Sequence, residues 1–192
     1  MKTVRWSQQD GTGLEHLVLD TRADGIVIES AVVGENDGEA FGLMYRIECN
    51  MQWEVTRLAV RLAGGIALDL RRSDRSDDNE GAPHVWTDAE GTPQEMLNGC
   101  IDVDIMATPF TNTLPIRRLQ LQPGERRVIR VVYVSVPSMT VSAVDQAYTC
   151  IAREKAHWRY RFEGLDTGFE AEITTDDDGF VTDYPSLFRR IA

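Results

Sequence analysis

Asp102 and Asp104 stand two residues apart in Cys-Ile-Asp-Val-Asp-Ile, residues Cys100–Ile105. Ile101, Val103 and Ile105 alternate with them, which predicts a strand with both carboxylates on one face. Two like charges held close raise the pKa of one carboxyl or hold a cation. The chemistry open to such a pair is general acid–base work or metal binding. Inverting glycosidase carboxyls stand ~6.5–9.5 Å apart, and same-face strand neighbours lie ~7 Å apart at Cα, so the spacing admits a hydrolase. The plain alternative is a pair that is solvated, or bonded to loop N–H groups and to Arg117 or Arg118.

Arg117 and Arg118 follow Pro115-Ile116. Read as part of a strand Ile116–Leu121, adjacent residues point to opposite faces, so one arginine goes outward and the other inward. An inward arginine needs a carboxylate or a ligand, because an unpaired buried charge is costly. A salt bridge to Asp102 or Asp104 would meet that need.

Other reactive types are scattered. His16, His84 and His157 have no close His or Cys partner in sequence, so an ordinary histidine outweighs a metal ligand at each. Cys100 with His84 is a conceivable thiolate dyad, without further support. Cys49, Cys100 and Cys150 lie about fifty residues apart and form no C-x-x-C pair, which fits buried reduced thiols better than zinc or a disulfide framework. No G-x-S-x-G, Walker, H-E-x-x-H or G-x-G-x-x-G string occurs, and no catalytic residue, metal or cofactor is assigned.

The chain that must position these groups has 192 residues and a net charge of −11. That charge disfavours binding to nucleic-acid phosphates or to anionic lipid surfaces. The length suits one domain over 1–192. The N-terminal MKTVRWSQQDGTG lacks the apolar run of a signal peptide, and no stretch approaches the ~20 apolar residues of a membrane helix. A cytoplasmic protein without a membrane span is expected, its oligomeric state left open.

Period-two alternation dominates. Glu15–Asp20 and Gly25–Val33 flank Asp24-Gly25 as a hairpin. Leu43, Tyr45, Ile47 and Cys49 share one strand face, and Trp53, Val55, Arg57 and Ala59 share another. Arg71–Pro83 reads as an exposed loop. Pro93–Leu97 suits one helical turn. Ala107–Leu119, with two prolines, reads as an ordered loop or bulged crossing segment. Arg127–Val136, Val141–Ile151, Trp158–Glu163, Phe169–Thr174 and Phe180–Asp183 read as strands. Val144, Gln146, Tyr148 and Cys150 share a face, as do Trp158, Tyr160 and Phe162. About a dozen strands and no helix longer than two turns predict an all-β fold. A single curled antiparallel sheet, rolled or closed as an open barrel, covers its own apolar face. Arg57 and Gln146 place polar groups among apolar ones, as a mostly apolar pocket requires.

The string from Trp86 to Leu119, WTDAEGTPQEMLNGCIDVDIMATPFTNTLPIRRL, resembles the signature of the glycolipid-binding family of uncharacterised bacterial proteins. VYVSVP (Val132–Pro137), Gln146-Ala147-Tyr148, Trp158-Arg159-Tyr160 and DDDGFVTDYPSLFRR (Asp176–Arg190) match as well, so the resemblance spans nearly the whole chain. It implies a spiral β-roll, similar to the half-barrels of lipoprotein carriers. It also implies a non-enzymatic binder of an amphipathic ligand, a glycolipid or acyl conjugate on the concave face. The candidate ligand-binding residues are Trp53, Arg57, Trp86, Asp102, Asp104, Asn112, Arg118, Gln146, Tyr148 and Tyr160. The alternatives are a scaffold or interaction protein with a filled interior, and a carboxylate-dependent hydrolase using Asp102 and Asp104.

Overall fold

The computed structural model describes residues 1–73 and 84–192. Most of the expected Arg71–Pro83 loop therefore lies outside the described residues. The first half of the chain is a meander of β1 (Lys2–Gln8), β2 (Leu14–Thr21), β3 (Ile26–Asn36), β4 (Glu39–Cys49), β5 (Val55–Leu62), β6 (Ala67–Arg72) and the short β7 (Trp86–Thr87). After a 3-10 turn at Glu95–Leu97 comes β8 (Asp102–Ile105), then a 3-10 turn at Phe110–Asn112 that runs into helix α1 (Thr113–Leu119). A second meander follows: β9 (Arg126–Val134), β10 (Val141–Glu154), β11 (His157–Gly164), β12 (Phe169–Asp176), β13 (Val181–Tyr184) and β14 (Phe188–Arg190).

The fourteen strands of the described residues belong to one sheet, ordered β7-β6-β5-β4-β3-β2-β1-β14-β13-β12-β11-β10-β9-β8. The two chain ends meet in its middle, where Trp6 pairs with Arg190 across β1 and β14. The sheet does not close, but its two ends come together through the Trp86 indole, which donates to the Cys100 carbonyl over 3.0 Å. The expected curled all-β sheet is therefore present. One pairing departs from the antiparallel expectation: β8 runs parallel to β9, with Asp102 opposite Val131 and Ile105 opposite Val134. A parallel neighbour needs a crossover, and the α1 segment supplies it.

Alternation builds the inner face. In β4, Leu43, Tyr45, Ile47 and Cys49 are buried while Met44 is exposed, as the period predicts. In β5 the phase breaks. A bulge opposes Cys49 to Val55 and Glu48 to Arg57. One extra residue reverses which side chains face inward, so Val55, Leu58 and Val60 are buried together. Arg57 consequently leaves Val55's face.

The roll is not hollow throughout. Within the β1–β7 arm, Trp6, Ile28, Ile47, Leu58 and Trp86 pack against Val103 and Ile105 of β8, Phe110 and Leu114. Within the β10–β14 arm, Tyr148, Tyr160, Phe162, Ile173 and Tyr184 pack against Ile116. Helix α1 thus lies inside the roll and divides its core into two clusters. Each such fully buried side chain contributes roughly 1.5–3 kcal/mol.

The strand expected at Ile116–Leu121 is instead the end of α1. Pro115 is tolerated because it falls in the first helical turn, where its missing N–H has no intrahelical partner to lose. Gln120 ends the helix in the left-handed region (φ 49°), its N–H donating to Ile116 O. Arg117 and Arg118 occupy the last turn, where cations complement the helix dipole.

Candidate functional site

The two aspartates of β8 share a face, as their spacing predicts, but their partners differ. Asp102 is fully buried. Arg118 meets it as a fork: Nη2 to Oδ2 at 2.5 Å and Nε to Oδ1 at 3.1 Å. Burial pushes the Asp102 carboxyl up, against the opposing pull of Arg118. Among the described residues, Asp104 has no such cation. Thr111 donates to its Oδ1 (2.9 Å) and the Gln146 amide to its Oδ2 (2.6 Å). Burial raises its pKa as well.

Asp104 and Gln146 form part of the wall of a cavity of about 420 Å³, at one mouth of the roll between β8, the Phe110–Asn112 turn and the β10–β14 arm. Asn112, Thr108, Tyr133, Asp145 and Asp166 add further polar groups. Met106, Val144, Phe162, Phe169, Tyr184 and Phe188 supply apolar wall. Phe162 lies tilted 6.1 Å from Phe169 and meets Tyr184 edge to face at 6.4 Å, and Tyr184 meets Phe188 edge to face at 6.3 Å. Phe169 and Leu187 line the cavity and are also exposed, at 42% and 39%, so the entrance is greasy. This is the make-up of a small-molecule pocket: mostly apolar, with a few convergent polar groups.

The structure brings Asp104, Asn112 and Gln146 of the expected residues to this cavity. Tyr148 stands one contact behind them, donating to Asn112 Oδ1 over 2.9 Å. Asp102 and Arg118 hold α1 to β8, next to Asp104 in sequence. Four others lie elsewhere. Tyr160 borders a second, more polar hollow with Arg117 and Trp158. Trp53 lies beneath the Arg117 guanidinium, 5.0 Å from its ring centre. Trp86 is core. Arg57 forks onto Asp69 across the outer face, at 2.6 and 3.1 Å, because of the β5 bulge.

Sequence reading missed the aromatic wall from Phe169 to Phe188 and one polar centre. Glu15 of β2 is 3% exposed and accepts hydroxyl hydrogen bonds from Ser30 (2.8 Å), Tyr45 (2.6 Å) and Thr108 (2.6 Å). Burial raises its pKa to about 7, the three hydroxyls pulling the other way. The signal was available: Glu15 shares the inward face of Leu17 and Leu19.

The conceivable dyad does not assemble. The His84 ring meets the Ser73 carbonyl at 2.9 Å, while the Cys100 thiol is buried, its pKa pushed up to about 11. Among the described residues, no group of three or more His, Cys, Asp and Glu is placed to hold a metal ion, and no helix is long and apolar enough to cross a membrane.

Comparison with known proteins places the chain. Residues 3–190 match the model of a family described as "Putative glycolipid-binding". The crystal structure of a DUF1089 family protein from Pseudomonas aeruginosa is similar over 92% of both chains, with a TM-score of 0.73 and 32% sequence identity. No curated protein matches significantly. With that match spanning nearly its whole length, the chain belongs to the "Putative glycolipid-binding" family.

Proposed function

We propose that this protein binds an amphipathic small molecule, a glycolipid or acyl conjugate, without transforming it. The observation that carries this reading is the cavity of about 420 Å³, whose aromatic wall ends at the hydrogen-bonded Asp104–Gln146 pair. An acyl or alkyl chain gains from apolar burial at roughly 0.8 kcal/mol per CH₂. Polar groups at the other end fix its orientation. Helix α1 occupies the middle of the roll, so this reading puts the ligand at one mouth of it, in the cavity beside Asp104.

Asp102 favours binding over hydrolysis. Its carboxylate is sealed from solvent and forked by Arg118, so it is not free to take or give a proton at a substrate. The reading is tested by extracting protein purified from its native host and identifying any co-purified lipid by mass spectrometry, beside melting curves with a lipid panel. A specific lipid, or a rise in Tm with one head-group class, supports it. Empty protein and unmoved melting curves across the panel would overturn it.

A further inference from the structure

We infer that the cavity selects a head group that donates hydrogen bonds and carries no negative charge, a hydroxyl-rich or ammonium group rather than a phosphate, sulfate or carboxylate. This rests on the binding reading above and specifies its ligand.

The polar wall is one-sided. Asp104, Asp145 and Asp166 line it, and among the described residues no Lys, Arg or His does. Most of the donors there are already engaged with the protein, each side-chain amide keeping one N–H and the Thr167 hydroxyl donating to the Gly164 carbonyl. The Gln146 amide and the Thr111 hydroxyl point at Asp104. Thr108 donates to Glu15, and the Asn112 amide donates to the Pro109 carbonyl over 3.2 Å. The acceptors, by contrast, retain capacity: each carboxylate oxygen has two lone-pair sites, and each Asp104 oxygen holds one donor. The Tyr133 and Tyr184 hydroxyls can turn either way.

Of the three carboxylates, Asp145 has a cation at 3.3 Å, Arg130. Asp166 accepts the Asp145 backbone N–H, and Asp104 has neutral partners alone. An anionic head group brought here would meet like charge in a partly dry site and find few free donors. A sugar hydroxyl or an ammonium would complete what the aspartates lack, with charge-assisted hydrogen bonds.

The test holds the tail constant. Octyl β-glucoside, octylammonium and octyl sulfate are titrated calorimetrically below their micellar concentrations into wild type and Asp104→Asn. The glucoside and the ammonium should bind, with octyl sulfate weaker by about ten-fold or more, as expected for a charged hydrogen bond gained or refused. Asn keeps the shape of Asp104, and the Gln146 amide can turn its oxygen toward it. In Asp104→Asn, octylammonium should weaken by about ten-fold and the penalty on octyl sulfate should shrink. Should that variant not fold, Asp166→Asn, at the exposed rim, should move the same ratio in the same direction by less. Octyl sulfate binding as tightly as the other two, or a ratio unmoved by both substitutions, overturns the inference and leaves the binding reading standing. Silence from all three octyl ligands overturns both.

Discussion

Thr108 donates its hydroxyl to Oε2 of Glu15 over 2.6 Å, and the same threonine lines the cavity. Thr108 Oγ1 also accepts the Phe110 N–H at 3.0 Å, where the helical segment begins. A carboxylate buried in the β1–β7 arm is thereby tied to the wall of the pocket.

Burial of Glu15 makes stability depend on pH, with the Thr108 hydroxyl pulling the other way. The folded Glu15 pKa is raised from 4.5 to about 7. Between those values the folded state holds a proton that the unfolded chain has lost, so stability falls as pH rises through that window. From pH 5 to pH 8 the loss from this group is roughly 2–3 kcal/mol, since one pKa unit is worth about 1.4 kcal/mol. Glu15→Gln removes it. Urea unfolding at pH 5 and pH 8 should show the variant losing less than wild type by about that amount; equal losses would mean that water reaches Glu15.

Where local pattern decides, the sequence was readable. Alternation in GLMYRIEC placed Leu43, Tyr45, Ile47 and Cys49 on one face, and all four are buried. The need of an inward arginine for a partner pointed to a ligand or to Asp102 or Asp104, and Arg118 forks onto Asp102, even though the arginines stand on a helix and not a strand. Adjacent residues diverge by about 100° on a helix, so one still turns inward and the other out. Non-local geometry was beyond reach. The β5 bulge that turns Arg57 outward leaves no mark in VTRLAV, because the extra residue is defined only against β4. Nor could period alone show that β1 and β14 pair in mid-sheet, or that Phe169, Tyr184 and Phe188 converge from three strands on one cavity.

The Arg118–Asp102 fork should behave as a buried ion pair. Arg118→Met leaves Asp102, which is wholly shielded from solvent, without its cation. Breaking one side of such a pair costs about 3–5 kcal/mol, whereas replacing both partners with apolar residues is often near neutral. Arg118→Met should therefore destabilise strongly, and Arg118→Met with Asp102→Leu should recover most of the loss. Chemical denaturation of the three proteins measures the coupling. Additive effects would show that the two side chains do not depend on each other.

Gly179 ties the β12–β13 turn to α1. It sits at φ 80°, and a Cβ there would stand 3.1 Å from Arg117 Cδ and 3.3 Å from Ile116 Cγ2. Gly124 also has positive φ, 90°, but open space where a Cβ would go. Both alanine variants bear the left-handed backbone penalty of about 1 kcal/mol; Gly179→Ala adds displacement of the helix end. Thermal melting should place Gly179→Ala clearly below Gly124→Ala. The reverse order would show that Arg117 moves aside without cost.

Filling the cavity separates binding from folding. Val144 of β10 lines the pocket two residues before Gln146, on the same strand face, and is only partly buried. Aromatic residues suit strands, so Val144→Trp places its ring in existing space without displacing the packed core around Ile116 and Tyr148. Stability should change by less than about 1 kcal/mol, within the ordinary range for a substitution that creates neither void nor buried unpaired charge. Ligand affinity should fall at least about ten-fold, because an indole adds volume where the alkyl chain would lie. A matching change at Val128, exposed on β9 at 54%, controls for surface hydrophobicity and should leave binding intact. If Val144→Trp folds normally and still binds octyl β-glucoside at wild-type affinity, the ligand does not occupy this mouth of the roll.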